Sequence, residues 1–301
     1  MPLSDTFFAA PPHWSWYVIL YFFFGGIAGG SYLIATMLDL FGDESDHTMA
    51  RIGYFIAFPA ALLCAPLLII DLTRPERFWH MIVQSNTFLP MFKWWSPMSV
   101  GSWVLAIFGL FTFVSFVGSL IESGSWRVTP PGFLTANPFR HVFNVVGGLA
   151  GFFFVSYTGV LLSVTNDPVW ADSPFIGLLF LVSAASTGAA AILLLSRGGI
   201  RPPEAHSRAL VRRFDNWVMW LELVILAVFM FSLGAVAQVW LSVWGILLVV
   251  GVVLVGILIP LALHWWPRSL GAATISTAAV LALIGGFVLR AVVVFAAQAF
   301  V

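Results

Sequence analysis

Long apolar runs alternate with short polar punctuation along the whole chain. A bilayer-spanning helix needs about 20 mostly apolar residues, and eight stretches qualify. They cover about 16–40, 51–70, 97–121, 141–164, 174–196, 215–238, 243–264 and 272–296. The connections are short except for 71–96, 122–140 and 197–214. No low-complexity tract and no polar stretch of domain size interrupts the series. The pattern predicts an all-α integral membrane protein with eight transmembrane helices. The turn NDPVWADSP divides them into two expected four-helix bundles, residues 1–165 and 166–301.

Composition makes the lipid bilayer the expected solvent. Hydrophobic residues make up 60% of the chain and charged residues 9%, against about 25% charged in a soluble domain. The formal net charge is +0, so no nucleic acid or acidic surface is expected as a partner. Phe and Trp are abundant, as suits rings at both bilayer interfaces. The first 15 residues carry no Lys or Arg, so no cleavable signal peptide is expected. Cys64, the only cysteine, has no partner for an internal disulfide. One thiolate cannot hold an iron–sulfur cluster, which usually takes four.

Basic residues orient the helices, because cytoplasmic loops are enriched in Lys and Arg. Loops after spans one, three, five and seven hold nine arginines: 51, 127, 140, 197, 201, 208, 212, 213 and 268. The opposite face holds three basic residues, Arg74, Arg77 and Lys93. Both termini are therefore expected on the outer side of a cytoplasmic membrane. His13 and Trp14 then open span one at the outer face, and Asp71 closes span two there. Tyr157 falls in the outer third of span four and Asn166 at its end.

The stretch DLTRPERFW, Asp71 to Trp79, holds the densest charge beside a span. Ionisable groups at membrane depth are costly and persist where they pair or bind something. Asp71, Arg74, Glu76 and Arg77 read either as a solvated ion-pair cluster or as a site. Asp71 directly follows an apolar run and is the member expected to be desolvated. Nearby arginines tune the protonation of such a carboxylate, which suits proton exchange with a redox ligand. Pro75 fits the first turn of a short interfacial helix, PERFWHMI. His13 reads as interfacial packing or as a ligand contact with a suitable intrinsic pKa. The Tyr157 hydroxyl must bond something if buried, either a neighbouring group or a ligand carbonyl.

Other features carry less. Gly25, Gly26, Gly29 and Gly30 form two overlapping GxxxG patterns, read as helix packing or as close approach to a ligand ring. Haem b in a helical bundle needs facing axial histidines at matched depth. All six histidines lie in loops or near span ends, so no haem is expected. Asp39, Glu122, Glu222, His264 and Arg290 are further ionisable residues in or beside spans. Asp39, Glu122 and His264 are near enough to span ends to be interfacial. Asp39 and Glu222 read as a proton path or as locally satisfied structure.

The strings GGIAGGSYL, LLIIDLTRPERFW, SPMSVGSW and SYTGVLLS together resemble the NrfD-like family, the membrane subunit of polysulfide reductase and related respiratory complexes. The resemblance covers most of spans one to four. It implies a haem-free subunit that binds menaquinol or ubiquinol near the outer face. It implies a ferredoxin-like iron–sulfur subunit and a molybdopterin-type catalytic subunit as partners. On motif position His13 and Tyr157 match the family's quinone contacts, and Asp71 with Arg74 and Arg77 matches its charged group. The expected location is a bacterial or archaeal inner membrane. Two other readings stay open from the residues: a transporter, for which Pro59, Pro66 and Pro260 interrupt spans, and a pure membrane anchor.

Overall fold

The computed structural model describes residues 14–124, 126, 137–165, 167–197, 203–266 and 273–299. Eight helices in it are long and apolar enough to cross a membrane. They are α1 (Trp16–Phe41), α2 (His47–Asp71), α3 (Pro97–Glu122), α4 (Asn137–Ser163), α5 (Ile176–Leu195), α6 (Ala205–Ser232), α7 (Val243–Trp265) and α8 (Thr274–Gln298). Among the described residues there is no β-strand, only an isolated bridge between Val83 and Pro90.

Local chemistry sets the ends. Ser15 caps α1 by accepting from the Tyr17 N–H. Ser96 caps α3 by accepting from the Ser99 N–H, with Pro97 in the first turn, where its missing N–H costs nothing. Pro59 and Pro66 lie inside α2 without ending it. Each deletes one backbone donor, and neighbouring helices and side chains tolerate such losses in membrane proteins.

The sixth helix departs from the hydropathy pattern, which set it at 215–238. It starts ten residues earlier, so Arg208, Arg212 and Arg213 lie on a helix rather than in a loop. Ser207, Val211, Asp215, Val218 and Glu222 are buried along it, the spacing of one helix face. It ends at Ser232 because Gly234 takes a φ of 53°. A 3₁₀ segment, Gly234–Leu241, follows. Within α7, Leu248–Leu258 is wound as a π-helix, and the Ile259 N–H reaches back to the Leu254 carbonyl.

α1 is the most enclosed helix and α3 the least. α1 packs on α2, α4, α5 and α8, so it touches both halves of the chain. Its glycines divide between two faces. A Cβ at Gly29 would lie 2.1 Å from Val155 of α4, and one at Gly30 would lie 1.9 Å from the Ala184 carbonyl of α5. Such contact needs small residues. The connector between α2 and α3 folds over one end of this group. It carries a 3₁₀ turn, Pro75–Met81, with Pro75 in its first position. The Trp103 indole donates to the Met91 carbonyl at 2.9 Å, and the Lys93 N–H donates to Ser99 at 3.1 Å. These bonds hold the connector to α3.

Candidate functional site at one end of the first four helices

Asp71 is the last residue of α2, and Ser15, the cap of α1, donates its hydroxyl to that carboxylate. Trp14 lies one residue earlier. Its ring stacks on the buried Trp170 at 5.0 Å, and its carbonyl accepts from Gln298 at 3.1 Å. On α4, the Tyr157 hydroxyl donates to the Pro97 carbonyl at the start of α3. Gly101 makes room for that phenol, because a Cβ there would lie 2.4 Å from its oxygen.

These pieces surround one cavity of about 720 Å³ between α1, α2, α3 and α4. Trp14, Tyr21, Asp71 and Tyr157 line it, and most other lining atoms are apolar. Small-molecule sites are typically clefts of about 300–1,000 Å³ with mostly apolar walls and a few polar groups. The chemistry on offer is a carboxylate and two phenols in an otherwise apolar chamber. A flat ring bearing polar oxygens, with an apolar remainder, fits that lining.

The structure sorts the candidate residues plainly. Asp71 and Tyr157, 86 positions apart in sequence, line the same cavity. Arg74 and Arg77 do not line it. They are exposed on the connector and form no ion pair within 4.0 Å among the described residues. His13 and Asn166 lie outside the described residues. Sequence reasoning passed over Ser15, Tyr21 and Gly101. Ser15 was legible as a helix-start signal ahead of an apolar run, but its bond to Asp71 was not.

Asp39 and Glu222 lie elsewhere and do not share a cavity. The Asp39 side chain is 5% exposed and lies two residues before the end of α1, a buried carboxylate close to a span end. It accepts from His47 at 2.9 Å, Tyr54 at 2.9 Å, Asn144 at 3.4 Å and Arg140 at 3.5 Å. It borders a second cavity of about 460 Å³ at the opposite end of the same four helices. Glu222 is buried on α6. Earlier on the same helix face, Asp215 accepts from Ser186 at 3.1 Å. Arg290, 1% exposed, donates to the Phe22 and Gly286 carbonyls at 3.0 and 2.7 Å and to Ser183 at 3.3 Å.

Comparison with known proteins decides the family. The family described as "Polysulphide reductase, NrfD" matches residues 6–301. The chain belongs to this family. This NrfD-family chain is 26% identical to "Protein NrfD" of Escherichia coli (strain K12) over 309 aligned positions, covering 95% of each. It is 29% identical to the C component of polysulfide reductase from Wolinella succinogenes over 194 positions, 60% of this protein and 57% of that one. A shorter stretch of 78 positions, 25% of this protein and 18% of the other, is 33% identical to the C component of selenate reductase from Mesobacillus selenatarsenatis. The NrfD-family chain is thus a multi-pass integral membrane protein.

Proposed function

We propose that this protein is the haem-free, quinone-handling membrane subunit of a respiratory oxidoreductase complex. The observation that carries the reading is the single cavity on which Asp71 and Tyr157 converge. Two relatives are named as the C components of a polysulfide and a selenate reductase. A subunit of such an assembly needs a carrier for its electrons. With one cysteine in the chain, the iron–sulfur clusters belong to a partner.

Menaquinol or ubiquinol supplies the redox chemistry, and the protein supplies position and protons. Oxidation of a quinol gives two electrons and two protons. The Asp71 carboxylate takes up a hydroxyl proton from the head group. The Ser15 hydroxyl holds that carboxylate on the rim of the chamber. Tyr157 turns its hydroxyl from the Pro97 carbonyl to the ring oxygen. His13, one residue before Trp14, is the second proposed proton carrier. Arg74 and Arg77 stand exposed on the connector, where they serve the bound head group or a docked partner.

The electrons leave to a ferredoxin-like iron–sulfur subunit seated over that end, which serves a molybdopterin-type catalytic subunit. The connector offers it an apolar surface: Phe88, Trp94 and Trp95 are 73%, 75% and 66% exposed. The proposed location is a bacterial or archaeal cytoplasmic membrane with this end, and both termini, outside, a placement that the excess of arginines in the opposite loops supports. The first four helices, within residues 1–165, form the quinone-binding bundle, and 166–301 form the second. Asp39 and Glu222 are proposed proton carriers toward the other face.

The test is quinol oxidation and quinone-analogue binding by the purified complex, with Asp71→Asn and Tyr157→Phe. The expected result is at least tenfold slower turnover and weaker analogue binding with the complex still assembled. Unchanged binding and turnover in both variants would overturn the reading.

A further inference from the structure

The large cavity has a floor as well as a mouth. Over the half nearer Asp39, α2 and α3 are closed by four rings. Phe55 meets Phe116 at 5.6 Å, while Phe58 meets Phe113 at 5.3 Å and Phe116 at 5.1 Å. One turn nearer Asp71 the rings give way to small residues beside Leu62 and Leu105. Ala61 and Ala65 on α2 and Ala106 and Gly109 on α3 line the cavity. A Cβ built at Gly109 would meet nothing within 4 Å.

The same stretch is open to the protein's flank. Leu62 lines the cavity and is 59% exposed, and Ala106 is also both lining and exposed. A side chain that borders a cavity and is exposed on the outer wall of an apolar helix stands at an opening. That opening is deep. Leu62 lies about 13 Å along the α2 axis from Asp71 at 1.5 Å rise per residue, within a hydrocarbon layer about 30 Å thick. It therefore faces lipid tails, not water.

We infer that the α2–α3 seam at Gly109 is a lateral portal to the bilayer, with the ring of Phe58 as its sill. The inference rests on reading the cavity as a quinone site, and it specifies the substrate. A long-tailed quinol enters ring first through this seam, whereas a tailless one also passes the end beside Phe78 and Met98, which line the cavity and are 47% and 58% exposed. Its head reaches Asp71 and Tyr157 while its isoprenoid tail lies across Gly109 into the lipid. The portal selects for a long, flexible apolar tail, which stays in hydrocarbon throughout, and it makes Gly109 a specificity-determining residue.

The experiment compares two quinols on the purified complex, one with a long isoprenoid tail and tailless menadiol. The variants are Gly109→Ala, Gly109→Leu and Gly109→Trp, with Leu110→Trp as control. Leu110 is 62% exposed on the same helix and lines neither cavity. Size-exclusion chromatography and thermal melting report assembly of each variant, and Gly109→Ala is the mild member of the series.

The expected result is a graded loss of kcat/KM for the long-tailed quinol. It reaches tenfold or more in Gly109→Trp, with less than twofold change for menadiol and no change in Leu110→Trp. Equal loss for both quinols, or loss for neither, with wild type oxidising both, would overturn the portal and leave the quinone site standing. Wild type that binds neither quinol would remove the quinone reading itself, and the portal with it.

Discussion

Ser15 donates its hydroxyl to the carboxylate of Asp71, tying the start of α1 to the end of α2 across 56 residues of sequence. A hydrogen bond to a charged group contributes about 1.5–3 kcal/mol. Ser15 also caps α1, so its removal has two effects. In a double-mutant cycle with Ser15→Ala and Asp71→Asn, unfolding in detergent is expected to show a coupling of about 1–2 kcal/mol. Strict additivity would mean that the bond contributes nothing to stability.

Gly101 and Tyr157 make a second linked pair. A methyl group at 101 meets the phenol oxygen at 2.4 Å, and overpacking of this kind costs about 1–3 kcal/mol. Gly101→Ala should lower the melting temperature and slow the proposed quinol turnover by displacing Tyr157. Tyr157→Phe should slow turnover with a smaller loss of stability. If Gly101→Ala matched wild type in both, Tyr157 would not depend on that glycine.

Packing of α1 against α5 predicts a contrast between glycines. A Cβ at Gly30 would lie 1.9 Å from the Ala184 backbone carbonyl, whereas one at Gly118 would meet nothing within 4 Å. A backbone atom cannot swing aside, so the two helices must separate. Gly30→Ala is expected to reduce the yield of folded protein sharply, and Gly118→Ala to leave it within twofold. Comparable yields of the two would refute the close crossing.

Asp39 is buried among four donors from α2 and α4. Glu122 is 48% exposed and, among the described residues, pairs with Arg140 at 3.4 Å. Removing a buried acceptor strands its donors at a cost of about 1–3 kcal/mol, whereas a surface pair contributes about 0–1 kcal/mol. Asp39→Ala should therefore destabilise far more than Glu122→Ala in denaturant unfolding. Equal effects would mean that the Asp39 cluster is solvated.

The proposed orientation is checked by labelling. Cys64 is fully buried, so it gives little background. A cysteine in place of the exposed Arg74 should react with an impermeant maleimide added outside intact cells. One in place of the exposed Arg213 should react only after lysis. The reverse pattern would invert the topology.

Sequence alone determined the number of spans, because hydrocarbon solvent demands long uninterrupted apolar stretches and nothing else in the chain has that length. Helix starts at Ser15 and Ser96, and the turn at Pro75, were also local, since caps and proline act within a few residues. The start of α6 was not. Residues 205–214 are too polar for a hydropathy window, yet they stay helical because one face, through Ser207 and Val211, packs inward. Asp71 and Tyr157 were legible as polar exceptions in apolar runs. Their sharing of one cavity depended on how α1 to α4 pack, as did the Ser15 bond, the open space beside Gly109 and the burial of Asp39. Those are distances between helices, fixed by side-chain volume at crossings such as that of Gly30 in α1 against Ala184 in α5. A one-dimensional pattern carries the period of a helix face but not which other face it meets.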